Sequence, residues 1–520
     1  MKQLNILTIL LLKTFCTIEG AKFLVLSMQF SERVSEFAAV SEGLLDNGHE
    51  VHMVVDENLL QNFQQRLAGT KVRFLTYKSP NKEFVSEKTA DEKLGNLGLS
   101  GARFKEILER FLEVRITYDC KLTLQDQNVF KKIQAMKFDM AIVDGLYFCY
   151  HIIPHKLGIP YVSLSSHEYP LLVRVQPLVG SMGCNIAGTR NTIFNRMKQF
   201  FTVLLITDKL HTSFCDEAQF PANIYSPEKP YDSLRELAAK TKLWLISQDN
   251  AIDCPRPTNP NIVLVGGITA QPAKPVTGEI ARIVNNAKDG FILVSFGSMI
   301  SSMPLEMQER FVNAFGQLRQ IVIWKTQNVK VVLPKNVRAL EEIPQNDLLG
   351  HKNLKLFITY CGNNANSEAV YHGVPMVAMP IFGDQFNNAD RVEVLGHGRQ
   401  LSITKFTGDQ LYETMENILN TPGYTAKVKK ASEILKDKPR HPRQEAAYWI
   451  EHVLRHGNHH LRTTLSDMNL AQYLMIDIYV LLSILILVLL LIVNRTALFI
   501  ARTFCRGAGS GQDEKKKKRQ

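Results

Sequence analysis

Two apolar stretches of the sequence end in glycine beside small polar residues, a pattern that can hold an anion. Phe357 to Asn364 reads FITYCGNN and meets Gly362 before a helix-like segment. Phe291 to Ser298 reads FILVSFGS and ends in a similar way. The first turn of a helix offers free backbone N–H groups and partial positive charge. Two glycine-containing loops after neighbouring strands could therefore bind a diphosphate between them. An ordinary strand-to-helix turn capped by asparagine gives the same local pattern.

The segments around these turns alternate between strand-like and helix-like patterns. Apolar runs without strict polar alternation begin near residues 22, 50, 138, 159 and 242, and again near 291, 321, 354 and 374. Such runs are typical of strands in a parallel sheet covered on both faces. The proline-rich segment 254–276 lies between the two sets and favours an interdomain connector that contains one strand. We therefore predict two open α/β sheets facing a cleft, with ligands outside the C-terminal ends of the strands.

Length and charge narrow the class of protein. A chain of 520 residues exceeds what one hydrophobic core usually fills, so two domains are expected. The formal net charge of +11 concentrates in residues 494–520, where eight Lys or Arg against two Asp or Glu leave a surplus of six. A basic tail, rather than a basic surface, argues against a nucleic-acid partner.

Both ends of the chain carry targeting patterns. Residues 1–20 resemble a secretory signal peptide, with an apolar run at 4–12 and the small residue Gly20 before the expected cleavage site. Residues 474–493 have the length and composition of a helix that crosses a bilayer, although a buried core helix would share them. The basic residues that follow predict a single-pass type I protein with a luminal body. Lys517 and Lys518 match either a dilysine signal for retrieval to the endoplasmic reticulum or a plain stop-transfer run.

Cysteine and histidine patterns do not predict a metal site. Six cysteines lie between the two ends without CxxC spacing, and we expect buried thiols or one or two disulfides. They are Cys120, Cys149, Cys184, Cys215, Cys254 and Cys361. Histidines at 452, 456, 459 and 460 lack the glutamate of a His-Glu-x-x-His site, so we interpret them as the polar face of a helix near the membrane. No metal and no cofactor are expected.

Longer motifs resemble the membrane-bound UDP-glycosyltransferases, the GT-B family that includes the UDP-glucuronosyltransferases. The motifs are FILVSFGSM (291–299), IPQNDLLGH (343–351), FITYCGNNANSEAVYHGVPMVAMPIFGDQ (357–385), NIVLVGGITAQPAKP (261–275) and YWIEHVLRHGNHHLR (448–462). The resemblance covers nearly the whole chain. It implies an α/β fold of GT-B type, in which two Rossmann-like doubly wound domains face a cleft, plus one C-terminal transmembrane helix.

The resemblance also implies a division of the chain. Residues 1–20 are the signal peptide, 21–255 the N-terminal acceptor-side Rossmann-like domain, and 256–285 the linker. Residues 286–445 form the C-terminal UDP-sugar-binding Rossmann-like domain, and 446–473 a closing helix and juxtamembrane segment. The transmembrane helix follows at 474–493 and a basic cytosolic tail at 494–520.

The resemblance assigns a donor site for a UDP-sugar, which serves as co-substrate. Ser298 and the turn Gly362-Asn363-Asn364 are expected to hold the pyrophosphate, with Tyr360 at its mouth. Gln345 is expected to meet the uracil, and Glu368 to accept hydrogen bonds from both ribose hydroxyls. Asp384 and Gln385 are expected to bind the sugar hydroxyls. A helix-surface carboxylate at 368 and a turn pair at 384–385 are the structural alternatives.

Three departures from the family pattern fall on the chemistry. The position of the histidine that acts as general base is Arg33, or Glu32 if the loop is shifted by one residue, while its partner is retained as Asp144. Arginine stays protonated and cannot be a base, so we predict an Arg33–Asp144 salt bridge. The tryptophan that stacks on uracil is Glu342, and the histidine that touches the diphosphate is Tyr360. Loss of the stacking platform removes about 1 to 3 kcal/mol by analogy with base–aromatic contacts.

The resemblance implies transfer of a sugar of glucuronate or glucose type to a small lipophilic acceptor, with inversion, at the membrane of the endoplasmic reticulum. The alternative hypothesis is a catalytically weak or inactive relative that binds nucleotide sugar or partners active subunits. The third hypothesis is a membrane receptor that does not bind a sugar donor. Assembly with the same or another chain stays open.

Overall fold

The computed structural model describes residues 20–29, 31–67, 69–78, 99, 120–166, 174–175, 194, 197, 201, 220–253, 255–297, 300 and 303–517. The expected signal peptide before Gly20 and the expected pyrophosphate ligand Ser298 lie outside these residues. The chain divides into two compact units, Met1–Thr463 and Thr464–Gln520.

Parallel strands build the larger unit. The described strands are β1 (Lys22–Leu26), β2 (Glu50–Asp56), β3 (Arg73–Tyr77), β4 (Met140–Asp144), β5 (Tyr161–Ser165), β6 (Trp244–Ile246), β7 (Ile262–Leu264), β8 (Phe291–Ser295), β9 (Ile321–Lys325), β10 (Val337–Leu340), β11 (Leu354–Thr359), β12 (Met376–Ala378) and β13 (Gly398–Gln400). They form one sheet in the order β3-β2-β1-β4-β5-β6-β7 and a second in the order β10-β9-β8-β11-β12-β13.

Helices connect most of the strands. The described α-helices are α1 (Ser31–Asp46), α2 (Leu60–Arg66), α3 (Lys121–Gln125), α4 (Gln127–Met136), α5 (Ile152–Leu157), α6 (Ala222–Tyr225), α7 (Leu234–Ala239), α8 (Gly278–Asn285), α9 (Leu305–Gly316), α10 (Gln345–Leu349), α11 (Asn363–His372), α12 (Gln385–Val394), α13 (Gly408–Asn420), α14 (Pro422–Lys436), α15 (Pro442–His456), α16 (Leu470–Tyr473) and α17 (Ile476–Lys517). Short 3₁₀ turns occupy Glu57–Leu59, Phe148–His151 and Thr464–Asp467.

The strand order places one switch point in each sheet. In the first sheet, β1 pairs with β2 on one side and with β4 on the other. In the second, β8 pairs with β9 and with β11. At such a point the chain leaves neighbouring strands toward opposite faces, which opens a crevice at their carboxyl ends. The loops after β1, β4, β8 and β11 are therefore where a ligand site is expected.

The predicted pair of parallel sheets is confirmed, and burial explains both the hits and the misses. Every residue of β4, β5 and β8 is buried, as the apolar runs predicted. The apolar runs did not predict β3, β10 and β13, which lie at the sheet edges, are more exposed and carry arginines such as Arg73 and Arg338. An edge strand has fewer covering elements, so its sequence needs no continuous apolar run.

The chain crosses between the two sheets twice. The strand expected in the proline-rich connector is β7, which pairs with β6 at the edge of the first sheet. After the second sheet is complete, α15 returns to the first, where Ala446, Ala447 and Ile450 pack in one buried cluster with Val34 and Phe37 of α1. The closing helix was expected from residue 446 and begins at Pro442.

Two ion pairs join the segment after β6 to the helices around the second sheet. Arg391 of α12 pairs with Asp253, and both side chains are buried. Lys438, just after α14, approaches Asp249 to 2.6 Å between Nζ and Oδ2. A buried ion pair that loses one partner leaves an uncompensated charge, so the Arg391–Asp253 contact ties the two halves together.

Among the described cysteines, Cys120 and Cys149 form a disulfide and Cys361 is a buried free thiol. The bridge joins the residue before α3 to the 3₁₀ turn after β4, with a Cα–Cα distance of 6.2 Å. Both outcomes fall within the expectation of buried thiols or one or two disulfides.

The smaller unit is dominated by α17. Residues Ile476–Phe504 of this helix are long and apolar enough to cross a membrane, and no other helix of the described residues is. The large hydrophobic side chains from Ile476 to Val493 are exposed, as expected for a surface that faces lipid rather than a protein core. The span was predicted from residue 474, but Met475 has a positive φ of 56° and the helix starts after it.

Candidate active site

Arg33 lies at the switch point of the first sheet, where three acceptors hold its guanidinium group. Its Nε donates to Asp144 Oδ2 at 3.0 Å and its Nη2 donates to the carbonyl of Leu164 at 2.8 Å. Its Nη1 donates to Glu36, one turn further along α1. The predicted Arg33–Asp144 salt bridge is therefore present, and it is buried. A guanidinium held this way is a fixed cation and not a proton acceptor.

Glu36 connects this cluster to the second half of the molecule. Its Oε1 accepts from Asn363 Nδ2 at 3.4 Å, and the same amide donates to the carbonyl of Ser247 at 2.9 Å. Burial raises the pKa of the Glu36 carboxyl above its ordinary value, while Arg33 acts in the opposite direction and Asp144 in the same. The side chain of Asn363, expected to serve the pyrophosphate, is thus turned toward the first half; its backbone stays at the start of α11.

Tyr360 fills the space between the two glycine turns. A methyl group on Gly297 would lie 2.8 Å from the Tyr360 hydroxyl, and one on Gly362 would lie 2.8 Å from atoms of the same ring. The ring is almost fully buried. The two turns do lie side by side after β8 and β11, as predicted, but the glycines there make room for an aromatic side chain. Gly297 also has a φ of +65°, a conformation that favours glycine.

Gln345 and Glu368 come together beside these turns. Gln345 begins α10 and donates from Nε2 to Glu368 Oε2 on α11 at 2.8 Å. Both side chains keep part of their surface open to solvent. Burial raises the pKa of Glu368 to about 7, although the hydrogen bond from Gln345 lowers it. Residues 23 positions apart in the sequence thus form one polar pair at the edge of the crevice.

The pair Asp384-Gln385 sits where β12 leads into α12. Gln385 Oε1 accepts from the backbone N–H groups of Ile381 and Phe382, at 2.9 and 3.1 Å, and fixes the loop before the helix. Asp384 Oδ2 accepts from Asn388 Nδ2 at 3.0 Å, and that amide also donates to the carbonyl of Cys361. Asn388 thereby links this loop to the turn after β11.

Glu342 is an exposed carboxylate in the loop between β10 and α10. Its Oε2 lies 3.0 Å from Lys325 Nζ, at the end of β9, and its side chain is 81% exposed. A carboxylate has no aromatic face on which a nucleobase can stack, so Glu342 cannot supply the stacking energy of an aromatic side chain.

Other expected residues are placed less fully. Asn364 is buried in the first turn of α11, next to Asn363. Ser298 and the side chain of Glu32 lie outside what the structure describes. The histidines of the C-terminal segment do cluster, with His452 Nε2 and His460 Nε2 2.9 Å apart, but no group of three metal-ligating side chains occurs among the described residues.

Two residues of this site, Glu36 and Ser247, are not among the residues predicted from the sequence. Glu36 follows Arg33 by one helical turn, so the i, i+3 spacing on α1 is the signal that predicts their contact. Ser247 directly follows β6 of the first sheet, and its contact with Asn363 spans 116 residues. No local pattern announces such a pairing, because it depends on how the halves face each other.

The structure combines a seven-stranded and a six-stranded parallel sheet, with the candidate site between their switch points. Solved structures share this class of fold. The glycotransferase of kitacinnamycin matches with a TM-score of 0.60 and 18% identity, over 83% of this chain and 99% of that one. A UDP-glucosyltransferase from Polygonum tinctorium matches with a TM-score of 0.57 and 14% identity, over 84% and 99%. The fold is that of GT-B glycosyltransferases.

Sequence comparison then gives the family. The family model described as UDP-glucoronosyl and UDP-glucosyl transferase matches residues 21–510. A 2-hydroxyacylsphingosine 1-beta-galactosyltransferase of Rattus norvegicus is 30% identical over 93% of this chain and 89% of its own length. UDP-glucuronosyltransferase 2C1 of Oryctolagus cuniculus is 31% identical over 79% and 82%. The chain belongs to the UDP-glucuronosyl and UDP-glucosyl transferase family.

Proposed function

We propose that this protein transfers a hexose or glucuronate from a UDP-sugar to a hydroxyl group of a small lipophilic acceptor. The observation that carries the proposal is the Gln345–Glu368 pair beside the first turn of α11. An ionised Glu368 has two oxygens, one for each ribose hydroxyl, and Gln345 can both donate to and accept from a uracil edge. The backbone N–H groups after Gly362 face the position of the diphosphate.

The transfer inverts the anomeric carbon, because acceptor and leaving group occupy opposite sides of the sugar. The acceptor oxygen approaches from the first half of the molecule, where α1 lies, and UDP departs toward the start of α11. The positive end of this helix stabilises the charge that develops on the leaving diphosphate. Asp384 and Gln385 meet the sugar hydroxyls, with Asn388 holding Asp384 in place.

The relatives favour a defined panel of donors and acceptors. One relative is named a galactosyltransferase of 2-hydroxyacylsphingosine, and another a glucuronosyltransferase. UDP-galactose, UDP-glucose and UDP-glucuronate are therefore tested as donors, with a simple phenol and an acylsphingosine alcohol as acceptors.

A thermal-shift titration of the full chain in detergent tests the donor site first. Ligands that bind only the folded state raise the midpoint by an amount that grows with ligand concentration. We expect a saturable rise with UDP and a larger one with the correct UDP-sugar. The absence of a rise with UDP and every UDP-sugar would refute the proposal.

A second candidate function is binding of a UDP-sugar without transfer. It is supported by the engaged Arg33 and by the Tyr360 ring between the glycine turns. Transfer of radiolabelled sugar to the acceptor panel separates the two. Donor binding without labelled product from any acceptor would favour the second function.

The proposed location is the endoplasmic reticulum membrane, with a single span and a luminal body. The apolar part of α17 supports one crossing, and the basic residues after it support a cytosolic tail. In sealed microsomes, protease should remove an epitope placed on the tail and spare one placed after residue 21. Digestion of both epitopes without detergent would contradict this topology.

A further inference from the structure

We propose that Glu36, and not residue 33, is the general base that deprotonates the acceptor hydroxyl, an inference that rests on the proposed transferase function. Transfer to an alcohol needs a group that takes up the acceptor proton. Arg33 stays protonated, and its guanidinium already donates to Asp144, Glu36 and the Leu164 carbonyl. A different residue near the same position must therefore supply the lone pair.

Asp144 is poorly placed for this task. Its Oδ2 accepts from Arg33, and its Oδ1 accepts from the backbone N–H of Leu146 at 3.0 Å. Both Asp144 oxygens are thus used within the first half of the molecule, where they orient Arg33 and the loop after β4. Burial does not separate the two carboxylates, because the side chains of Asp144 and Glu36 are both almost fully buried.

Glu36 faces the other half. Its Oε2 binds Arg33, which fixes the carboxyl group, while its Oε1 meets Asn363 Nδ2 from α11. At 3.4 Å this contact is longer than the 2.9 Å contact of the same amide with the Ser247 carbonyl. An acceptor hydroxyl that donates to Oε1 in place of the amide would lie beside the expected diphosphate turn, between acceptor and donor halves.

The charges around Glu36 suit a proton acceptor. The charged groups that face it are Arg33 and Asp144, and the polar groups that face it, Ser247 and Asn363, are neutral. Two carboxylates therefore share one cation, and burial favours the neutral form of Glu36. A carboxyl whose pKa moves toward the working pH combines availability with basicity.

In the proposed step, proton transfer to Glu36 accompanies transfer of the sugar to the acceptor oxygen. The Glu36 carboxylate takes the proton of the acceptor hydroxyl, and the oxygen lone pair forms the new bond to the anomeric carbon. The bond from that carbon to the diphosphate oxygen breaks, and its electron pair leaves with UDP. Glu36 then releases its proton to water, so the products are the glycoside, UDP and one proton.

Substitution of the carboxyl by an amide tests the assignment in the full chain. In Glu36→Gln, turnover with an alcohol acceptor should fall by about 100-fold or more, the usual contribution of a general base, while UDP affinity stays within about twofold. The rise of turnover with pH that accompanies ionisation of a base should disappear with it. Asp46→Asn, the same change at an exposed residue of α1, is the control and should leave turnover unaltered.

A second variant separates loss of a base from loss of the fold. Arg33→His combined with Glu36→Gln places a new base on the same helix, and it should recover turnover by about tenfold or more over Glu36→Gln alone. Normal turnover in Glu36→Gln would overturn the inference. The inference would also be overturned if the wild-type protein binds UDP-sugars but transfers no sugar, while the Arg33→His variant does transfer it. The thermal-shift titration tests the proposed function separately. If it detects no binding of any UDP-sugar, the proposed function and this inference are both overturned.

Discussion

At the level of a single side chain, we expect Glu368, the proposed ribose ligand, to make donor binding depend on pH. Burial raises its pKa to about 7, so near neutral pH the carboxyl is divided between its neutral and ionised forms. Only the ionised form offers both oxygens as acceptors to a pair of ribose hydroxyls. Binding of the donor to both oxygens therefore requires that the Glu368 carboxyl has lost its proton.

UDP affinity should increase with pH. If the ionised form alone binds, the Kd of UDP falls by about tenfold between pH 6 and pH 8, because the pKa of about 7 lies between them. Calorimetric titration measures this directly. Glu368→Gln should bind UDP more weakly with a Kd that no longer changes with pH, whereas the exposed Glu433→Gln should retain the pH dependence. An unchanged pH profile in Glu368→Gln would assign the proton to another group.

Tyr360 is expected to limit diphosphate binding, because its ring occupies the space between the glycine turns and brings no positive charge. Tyr360→His shortens the side chain and adds a ring nitrogen that can donate a hydrogen bond. We expect the Kd of UDP to fall by about tenfold, the equivalent of one charge-assisted hydrogen bond. The control is Tyr412→His on α13. A Kd that is unchanged or higher in Tyr360→His would show that the ring does not restrict the site.

At the scale of elements, the turns after β8 and β11 form one packed unit with Tyr360. A Cβ at Gly362 would approach the ring to 2.8 Å, whereas a Cβ at Gly423, in the first turn of α14, would come within 4.0 Å of Thr421 Cγ2 and of no closer atom. The tyrosine ring is rigid and almost fully buried, so a Cβ at Gly362 would force the ring or the turn to shift within a closely packed region.

A double-mutant cycle measures this contact. Gly362→Ala should destabilise the protein by about 1 to 3 kcal/mol through overpacking, and the loss should largely disappear in a Tyr360→Ala background. Urea unfolding followed by tryptophan fluorescence reports both values. Gly423→Ala should cost less than about 0.5 kcal/mol in either background. Equal losses for Gly362→Ala with and without the tyrosine would mean that backbone effects, and not the ring, explain the glycine.

Strand positions followed from the sequence where an apolar run marks a buried centre, even when the strand ends are partly exposed. Strands β9 and β11 lie where their apolar runs predicted, while the edge strands β3, β10 and β13 escaped notice. The Arg33–Asp144 bridge was predicted from the family resemblance, which aligns Arg33 with the general base and Asp144 with its partner, and the structure contains it. The direction of the Asn363 side chain was not, since it depends on Ser247 and Glu36 across the cleft. The presence of glycine at position 362 also did not predict whether the space beside it is used by a phosphate or by the Tyr360 ring.

At the scale of the whole larger unit, the buried pair Arg391–Asp253 should matter more than exposed pairs. Arg391→Met should reduce the free energy of unfolding by about 3 to 5 kcal/mol, because it strands a buried carboxylate. Adding Asp253→Leu should recover much of that loss. Arg399→Met removes a pair whose side chains are 50% and 43% exposed, and its cost should stay under about 1 kcal/mol. Similar costs for both arginines, measured by urea unfolding, would argue against a special role for the buried pair.

The return of α15 to the first sheet has a consequence for grafting one family member onto another. The half built around the second sheet is an insert, entered after β7 and left before Pro442, so its exchange requires two junctions. A chimera with a single junction in the connector would place a foreign Ala446, Ala447 and Ile450 against the native Val34 and Phe37 of α1. Hybrids of this protein that preserve the packing between α1 and α15 must therefore inherit both helices from the same parent.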